Sequence, residues 1–133
     1  VKLVVGHNRG IISDVGSSWF VPNLIGRARA NGMGLLGEDI SAEQAKNWGL
    51  IWDFVEDDDL LSKSLEIAER LANGPIDGLK AIVKAHDNAL STSLNEQLDY
   101  ERDAQEVLLD KKEFKEGVSA FVGKRKPNFR DLS

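Results

Sequence analysis

The residues best placed to do chemistry lie in one segment, Gly10-Ile11-Ile12-Ser13-Asp14-Val15-Gly16-Ser17-Ser18-Trp19-Phe20. Asp14 ends a short apolar run of strand type. Glycine and two hydroxyl residues follow it, then an aromatic-apolar run. The pattern places the carboxylate at a strand-to-helix turn with apolar flanks. Desolvation there would raise its pKa toward values useful for moving protons. The same carboxylate could instead cap the helix expected to start near Val15. On the residues alone the cap is the favoured reading, because aspartate is far commoner as a helix cap than as a catalyst.

The other reactive side chains read as structure. His86 falls on the stripe Leu79, Ile82, Val83 and Leu90, which implies a histidine packed among core residues. His7 lies in a Gly-flanked stretch with no second metal-type ligand at useful spacing, so no metal site is expected. Trp48 and Trp52 flank a turn and are expected to anchor a core or an interface. Glu56 to Asp59 reads as a solvated, helix-capping cluster. Gly32-Met33-Gly34 is not a phosphate loop, since no strand precedes it and no Gly-Lys-Ser/Thr follows. Lys124-Arg125-Lys126 can be read as a basic cluster balancing a helix C-terminus.

The elements that must position these groups are mostly helical. Residues Val1 to about Asn31 are rich in Gly, Val, Ile and Ser, and from Ser41 onward helix start and stop signals succeed one another. Ser41-Ala42-Glu43-Gln44 is a capping-box pattern, with Gly49 as the stop. Leu50 to Val55 reads as a short strand. Asp57, Asp58 and Asp59 open a helix with Leu61, Leu65, Ala68 and Leu71 at helical spacing, ending at Gly74-Pro75. Pro75 suits a first helical position for the next helix. Ser93-Leu94-Asn95-Glu96 is a second capping box, and Asp110 with Glu113 repeats the device before Phe114, Val118 and Phe121. Pro127 closes the series.

Composition narrows the function classes. The 133 residues carry 22 acids against 17 bases, a net charge of -5, which argues against nucleic acid as a partner. No apolar run approaches the roughly 20 residues of a membrane helix, so no membrane partner is expected. The absence of cysteine excludes disulfide and thiolate chemistry and fits a reducing, cytoplasmic setting. Taken alone, the length suggests one domain with its own core.

Three stretches carry a family resemblance. They are Gly10 to Ala30; Leu35-Leu36-Gly37 with Ser41 to Ile51; and Glu116-Gly117-Val118-Ser119-Ala120-Phe121 followed by Lys124-Arg125-Lys126-Pro127-Asn128-Phe129. In order and spacing, the chain resembles the crotonase (enoyl-CoA hydratase/isomerase) superfamily. Asp14 with Trp19 five residues on, and Leu98 to Asp103, most resemble its 1,2-epoxyphenylacetyl-CoA isomerases. The resemblance implies a mainly α chain: the C-terminal part of a crotonase-like α/β fold built on a ββα spiral, with few short strands. Residues 1–40 would be a remnant of the spiral core carrying the Asp14 turn. Residues 41–133 would be a helical oligomerisation region.

The implied chemistry is an acyl-CoA isomerisation through a thioester enolate, with no permanently bound cofactor. Two backbone N–H groups would hold the thioester carbonyl while Asp14 moves a proton beside it. Phe121 and Lys124 match positions that in relatives meet the coenzyme A adenine and its 3′-phosphate, often from a neighbouring subunit. A homotrimer or hexamer is expected. Enoyl-CoA hydratase is the alternative enzyme, a dehalogenase with nucleophilic Asp a more distant one, and a non-catalytic oligomerisation module the alternative from another class. Ser13 and Ser17 depart from the Pro and Gly usual in the family. Val1-Lys2-Leu3-Val4-Val5-Gly6 resembles a spiral strand, but the spiral half with the carbonyl-polarising N–H groups is not recognised, so the chain alone is expected to be inactive.

Overall fold

The computed structural model describes residues 10–132. Seven α-helices follow one another there, and no strand forms among the described residues. His7 and the run Val1 to Gly6 lie outside them. The chain groups into two compact units, Val1–Leu60 and Leu61–Ser133.

The first unit contains α1 (Ser17–Ile25), α2 (Arg27–Leu36) and α3 (Ala42–Trp48). Gly26 joins α1 to α2 at φ 80, and its N–H donates to the Pro22 carbonyl at 3.0 Å. Such a backbone is open to glycine and strained for other residues. Val21 and Ile25, one helical turn apart, meet Met33, Ile40 and Ala45 in a small core, with Ala30, Trp48, Leu50 and Ile51 packed around it. The Arg29 guanidinium stands over the Trp48 ring at 5.3 Å. Met33 is thus a core residue within α2, and its glycine neighbours are helical. The α3 signals hold in part: Ser41 Oγ accepts the Gln44 N–H at 3.0 Å and Gly49 ends the helix at φ 81, but among the described residues the Gln44 side chain makes no reciprocal bond to complete a box. α3 packs in the first unit.

Two strand expectations fail in this unit. Residues 12–14 adopt no regular structure, and Leu50 to Val55 is bend and coil. The physical reason is local in the second case. Leu50 N–H donates back to the Ala45 carbonyl at 2.9 Å, and Asp53 Oδ1 accepts both Lys46 Nζ at 2.6 Å and the Phe54 N–H at 2.9 Å. These bonds fold the segment onto the end of α3 instead of extending it. In neither case do the described residues supply a partner strand.

The second unit contains α4 (Leu60–Ala72), α5 (Ile76–Ala89), α6 (Leu94–Leu109) and α7 (Lys112–Val122). A 3-10 turn over Asp57–Asp59 leads into α4, as the acidic run suggests. Pro75 is the residue before α5, not its first helical position, and its carbonyl accepts the Leu79 N–H at 2.9 Å. The Ser93 capping box is complete: Ser93 Oγ accepts the Glu96 N–H, and the Glu96 carboxylate accepts the Ser93 N–H at 2.8 Å. Gln97 Nε2 donates to the Ala85 carbonyl at 3.1 Å and fastens α6 to α5.

The third capping expectation fails. Lys111 precedes α7 without a side-chain cap, while Asp110 ends α6. Glu113 reaches elsewhere, accepting the Asp77 N–H at the start of α5 at 3.2 Å. His86 is exposed, not packed. Its stripe, with Ile82, Val83 and Leu90, faces outward, as do Leu61, Leu65 and Leu71. The helical period is right, but these described residues do not cover the face it creates. No helix among them is long and apolar enough to cross a membrane.

Candidate functional site

Asp14 stands in the turn that precedes α1. Its backbone carbonyl accepts the Ser17 N–H at 3.0 Å and the Ser17 hydroxyl at 2.5 Å. Serine at the position where the family usually has glycine therefore ties the turn to the helix. Val15 and Gly16 then take consecutive left-handed conformations, φ 54 and φ 78. For a β-branched residue this region is a genuine strain, held only when the surroundings over-determine it. Gly16 supplies the break before α1, and its carbonyl accepts the Trp19 and Phe20 N–H groups, both at 2.9 Å.

The capping role for Asp14 is overturned by this arrangement. The residue before α1 is Gly16, and no side chain caps the helix. The Asp14 carboxylate has no hydrogen-bond partner among the described residues, so its backbone is fixed while its acid group is uncommitted. The expected desolvation is also not provided by the described residues. Asp14 is exposed, and its flanks Ile11, Ile12 and Val15 are exposed with it, Val15 at 92%. Trp19 packs edge-on against Phe20, with ring centroids 4.9 Å apart.

A direct test of the turn follows from Gly16. A Cβ there would stand 3.0 Å from the Phe20 ring, at a φ that L side chains rarely adopt. Gly16→Ala is expected to disfavour the native turn by about 1–2 kcal/mol. Thermal unfolding of the variant against the parent, followed by far-UV dichroism, measures the loss.

Phe121 and Lys124 lie in the second unit, at the end of α7. Phe121 is 85% exposed and borders an apolar groove of about 410 Å³, with Pro75, Leu108, Phe114, Val118 and Phe129 among its walls. Lys124 is exposed in a left-handed conformation, φ 49, and its N–H donates to the Phe121 carbonyl at 3.2 Å. The structure thus brings Phe121 and Lys124 into one turn. Asp14 belongs to the other unit.

Sequence reasoning missed the group that shapes this turn. Arg125 does not balance the helix end as a free cation. It grips Glu116 with two N–H donors, Nη1 to Oε1 at 2.6 Å and Nη2 to Oε2 at 2.8 Å. The Asn128 N–H donates to the same carboxylate at 2.7 Å. The Arg125 guanidinium and the Asn128 amide together hold the Glu116 carboxyl far below its ordinary range, at about 2. Nothing in a Glu and an Arg separated by a helix end and a turn announces such a pairing.

The pH consequence has a definite sign. A carboxyl whose folded pKa is depressed stabilises the fold above its ordinary value of 4.5, and that contribution is lost as pH falls toward about 2. The C-terminal turn is therefore expected to stay closed at neutral pH and to open progressively below 4.5. The exchange rate of the Asn128 amide against pH, read by NMR, checks this.

Comparison with known proteins gives one answer. Residues 5–132 match the family described as Enoyl-CoA hydratase/isomerase. The chain is 45% identical over 129 residues to the 1,2-epoxyphenylacetyl-CoA isomerase of Escherichia coli K12, covering 96% of this chain and 49% of that protein. It is 42% identical over 120 residues to a Rhodobacter capsulatus protein named a probable enoyl-CoA hydratase, covering 90% of this chain and 47% of that one. A solved enoyl-CoA hydratase from Polaromonas sp. JS666 superposes with a TM-score of 0.86 at 34% identity, covering 91% of this chain and 47% of the other. The chain thus spans about half the length of the relatives it matches. An ordered match over nearly the whole chain, at this identity and with the same helical course, places it: the chain belongs to the enoyl-CoA hydratase/isomerase, or crotonase, family of enzymes.

Proposed function

We propose that this chain forms the acid/base-bearing part of an acyl-CoA isomerase, with an aromatic, epoxide-bearing acyl group of the phenylacetyl type as its substrate class. The observation that carries the reading is the Asp14 carboxylate: no hydrogen bond holds it among the described residues, and a strained turn sets its backbone. The Escherichia coli isomerase at 45% identity supports the same choice.

On this reading Asp14 takes a proton from the carbon next to the thioester carbonyl, and the electron pair moves onto the carbonyl oxygen as an enolate. Two backbone N–H groups stabilise that oxygen. In the family resemblance they belong to the half of the relatives that this chain does not match. The bond between the two epoxide carbons breaks as the ring expands, so the enolate is conjugated with the ring; its electron pair takes the proton back from Asp14 at a ring carbon, the product is an isomer, and the residue ends ionised as it began. Covering the exposed Ile11, Ile12 and Val15 in the complete protein would shut water out from beside Asp14. Phe121 would lie against the coenzyme adenine and Lys124 would meet its 3′-phosphate as a point charge. The enzyme works as a homotrimer or hexamer in the cytoplasm, uses no resident cofactor or metal, and has neither nucleic acid nor membrane as partner.

Product analysis tests the reaction type. The complete protein is given 1,2-epoxyphenylacetyl-CoA and, separately, a trans-2-enoyl-CoA. A product of unchanged mass from the epoxide supports the isomerase. A product heavier by one water from the enoyl ester, with none from the epoxide, supports the hydratase that the Rhodobacter relative favours. Calorimetric titration with acetyl-CoA that yields no saturable heat would instead support a helical oligomerisation module.

A further inference from the structure

We propose that Glu116 and Arg125 are positioning residues for coenzyme binding: their ion pair, with the Asn128 N–H, holds the chain in the left-handed turn at Lys124 and so presents Lys124 and Phe121 together to the nucleotide end of the substrate. The proposal rests on the reading of Phe121 and Lys124 as the coenzyme-binding edge.

The geometry is that of a clasp. After α7 ends, Gly123 N–H donates to the Ser119 carbonyl at 2.9 Å and Arg125 N–H to the Ala120 carbonyl at 3.0 Å. Lys124, between them, is forced into φ 49. A non-glycine residue is strained there, so the turn persists only if both sides are fastened. The fastening is the bidentate Arg125–Glu116 pair on one side and the Asn128 N–H to Glu116 on the other. Arg125 also donates to Ser119 Oγ at 3.2 Å and to the Lys126 carbonyl at 3.2 Å, which uses most of its donors. Glu116 is only 14% exposed although it sits on a surface helix. Fork-to-fork pairing of guanidinium and carboxylate fixes direction as well as distance.

The two cations therefore divide the work. Arg125 is committed to the clasp, whereas the Lys124 ammonium has no ion pair among the described residues and is free to meet an anion. The same clasp returns the tail over the end of α7, where Phe129 closes the groove beside Phe121. Releasing Glu116 would free the Lys124 turn, whereas Phe121 is held by α7 itself.

Steady-state kinetics of the complete enzyme with a CoA ester and with its 3′-dephospho-CoA counterpart test the idea. Lys124→Ala is expected to raise KM for the CoA ester about tenfold and leave the dephospho ester unchanged, since one charge-assisted phosphate contact is lost. Glu116→Ala should reproduce that selective rise with kcat within about twofold, and the Glu116→Ala/Lys124→Ala double variant should be no worse than Lys124→Ala alone. Glu116→Gln, close in shape, carries the test should Glu116→Ala not fold. Equal KM increases for both esters, or additive effects in the double variant, would overturn the positioning role. So would an unaffected KM in the Glu116 variants while Lys124→Ala retains its effect, and in that case the Lys124 assignment survives. Loss of phosphate discrimination by neither variant would remove the Lys124 assignment and the clasp's role with it.

Discussion

In the complete protein, Asp14→Asn is expected to lower kcat for the acyl-CoA isomerisation on the order of 10³-fold while KM changes little. The magnitude follows from the range of about 10²–10⁴ for a positioned general acid/base. Asparagine keeps the size and leaves the turn intact, because the bonds that set the turn come from the Asp14 carbonyl and not from its carboxylate. What it removes is the ability to accept a proton. Ground-state contacts to the coenzyme lie elsewhere on the proposed reading, at Phe121 and Lys124, so substrate binding should survive. Polarisation of the carbonyl should survive too, leaving a residual rate above that of the uncatalysed reaction. Turnover and KM measured for the pair of proteins decide the matter, with far-UV circular dichroism to show that the helices persist. Near-normal kcat would remove Asp14 from the chemistry.

The particular residues show what a sequence of this kind discloses. Ser41 with Gly49, and Ser93 with Glu96, mark helix ends through bonds between near neighbours, and those were legible. Asp110 with Glu113 has the same pattern and fails, because Glu113 finds a better donor on α5, far along the chain. The run Leu50 to Val55 has strand composition, yet bonds to Ala45 and Lys46 fold it against α3. Residue statistics favoured Asp14 as a cap, and the glycine that breaks the chain before α1 shows why the cap is not made; a catalytic Asp14 rests on the motif resemblance. Burial was the least legible property. Helical spacing correctly predicts that His86, Ile82 and Val83 share a stripe but says nothing about what lies opposite it. Glu116 and Arg125 escaped for the same reason: pairing across a turn depends on the path of the backbone, not on spacing.

Those uncovered stripes lead to the second large effect. Taken alone, the 133-residue chain is expected to show helical far-UV dichroism but no cooperative unfolding as a monomer, and no isomerase turnover. Ordering the backbone costs about 1–2 kcal/mol per residue, and fully burying a leucine-sized side chain returns about 1.5–3 kcal/mol. A stable fold therefore needs apolar burial distributed through most of its helices. In the second unit, Ala120 is the one buried apolar side chain among the described residues. Leu61, Leu65, Ile82, Val83, Leu98 and Val118 all remain accessible, on four helices that carry the apolar periodicity of buried ones. The few bonds between helices, such as Gln97 to Ala85, are worth about 1 kcal/mol each and cannot replace that burial. Hence the chain alone should self-associate through these faces or melt gradually with strong binding of a hydrophobic dye. Sedimentation, near-UV dichroism during heating and an activity assay measure the three consequences. A sharp two-state transition from a species sedimenting at monomer mass would show that the apolar faces need no cover, and detectable turnover would show that the carbonyl-polarising groups lie within these residues after all.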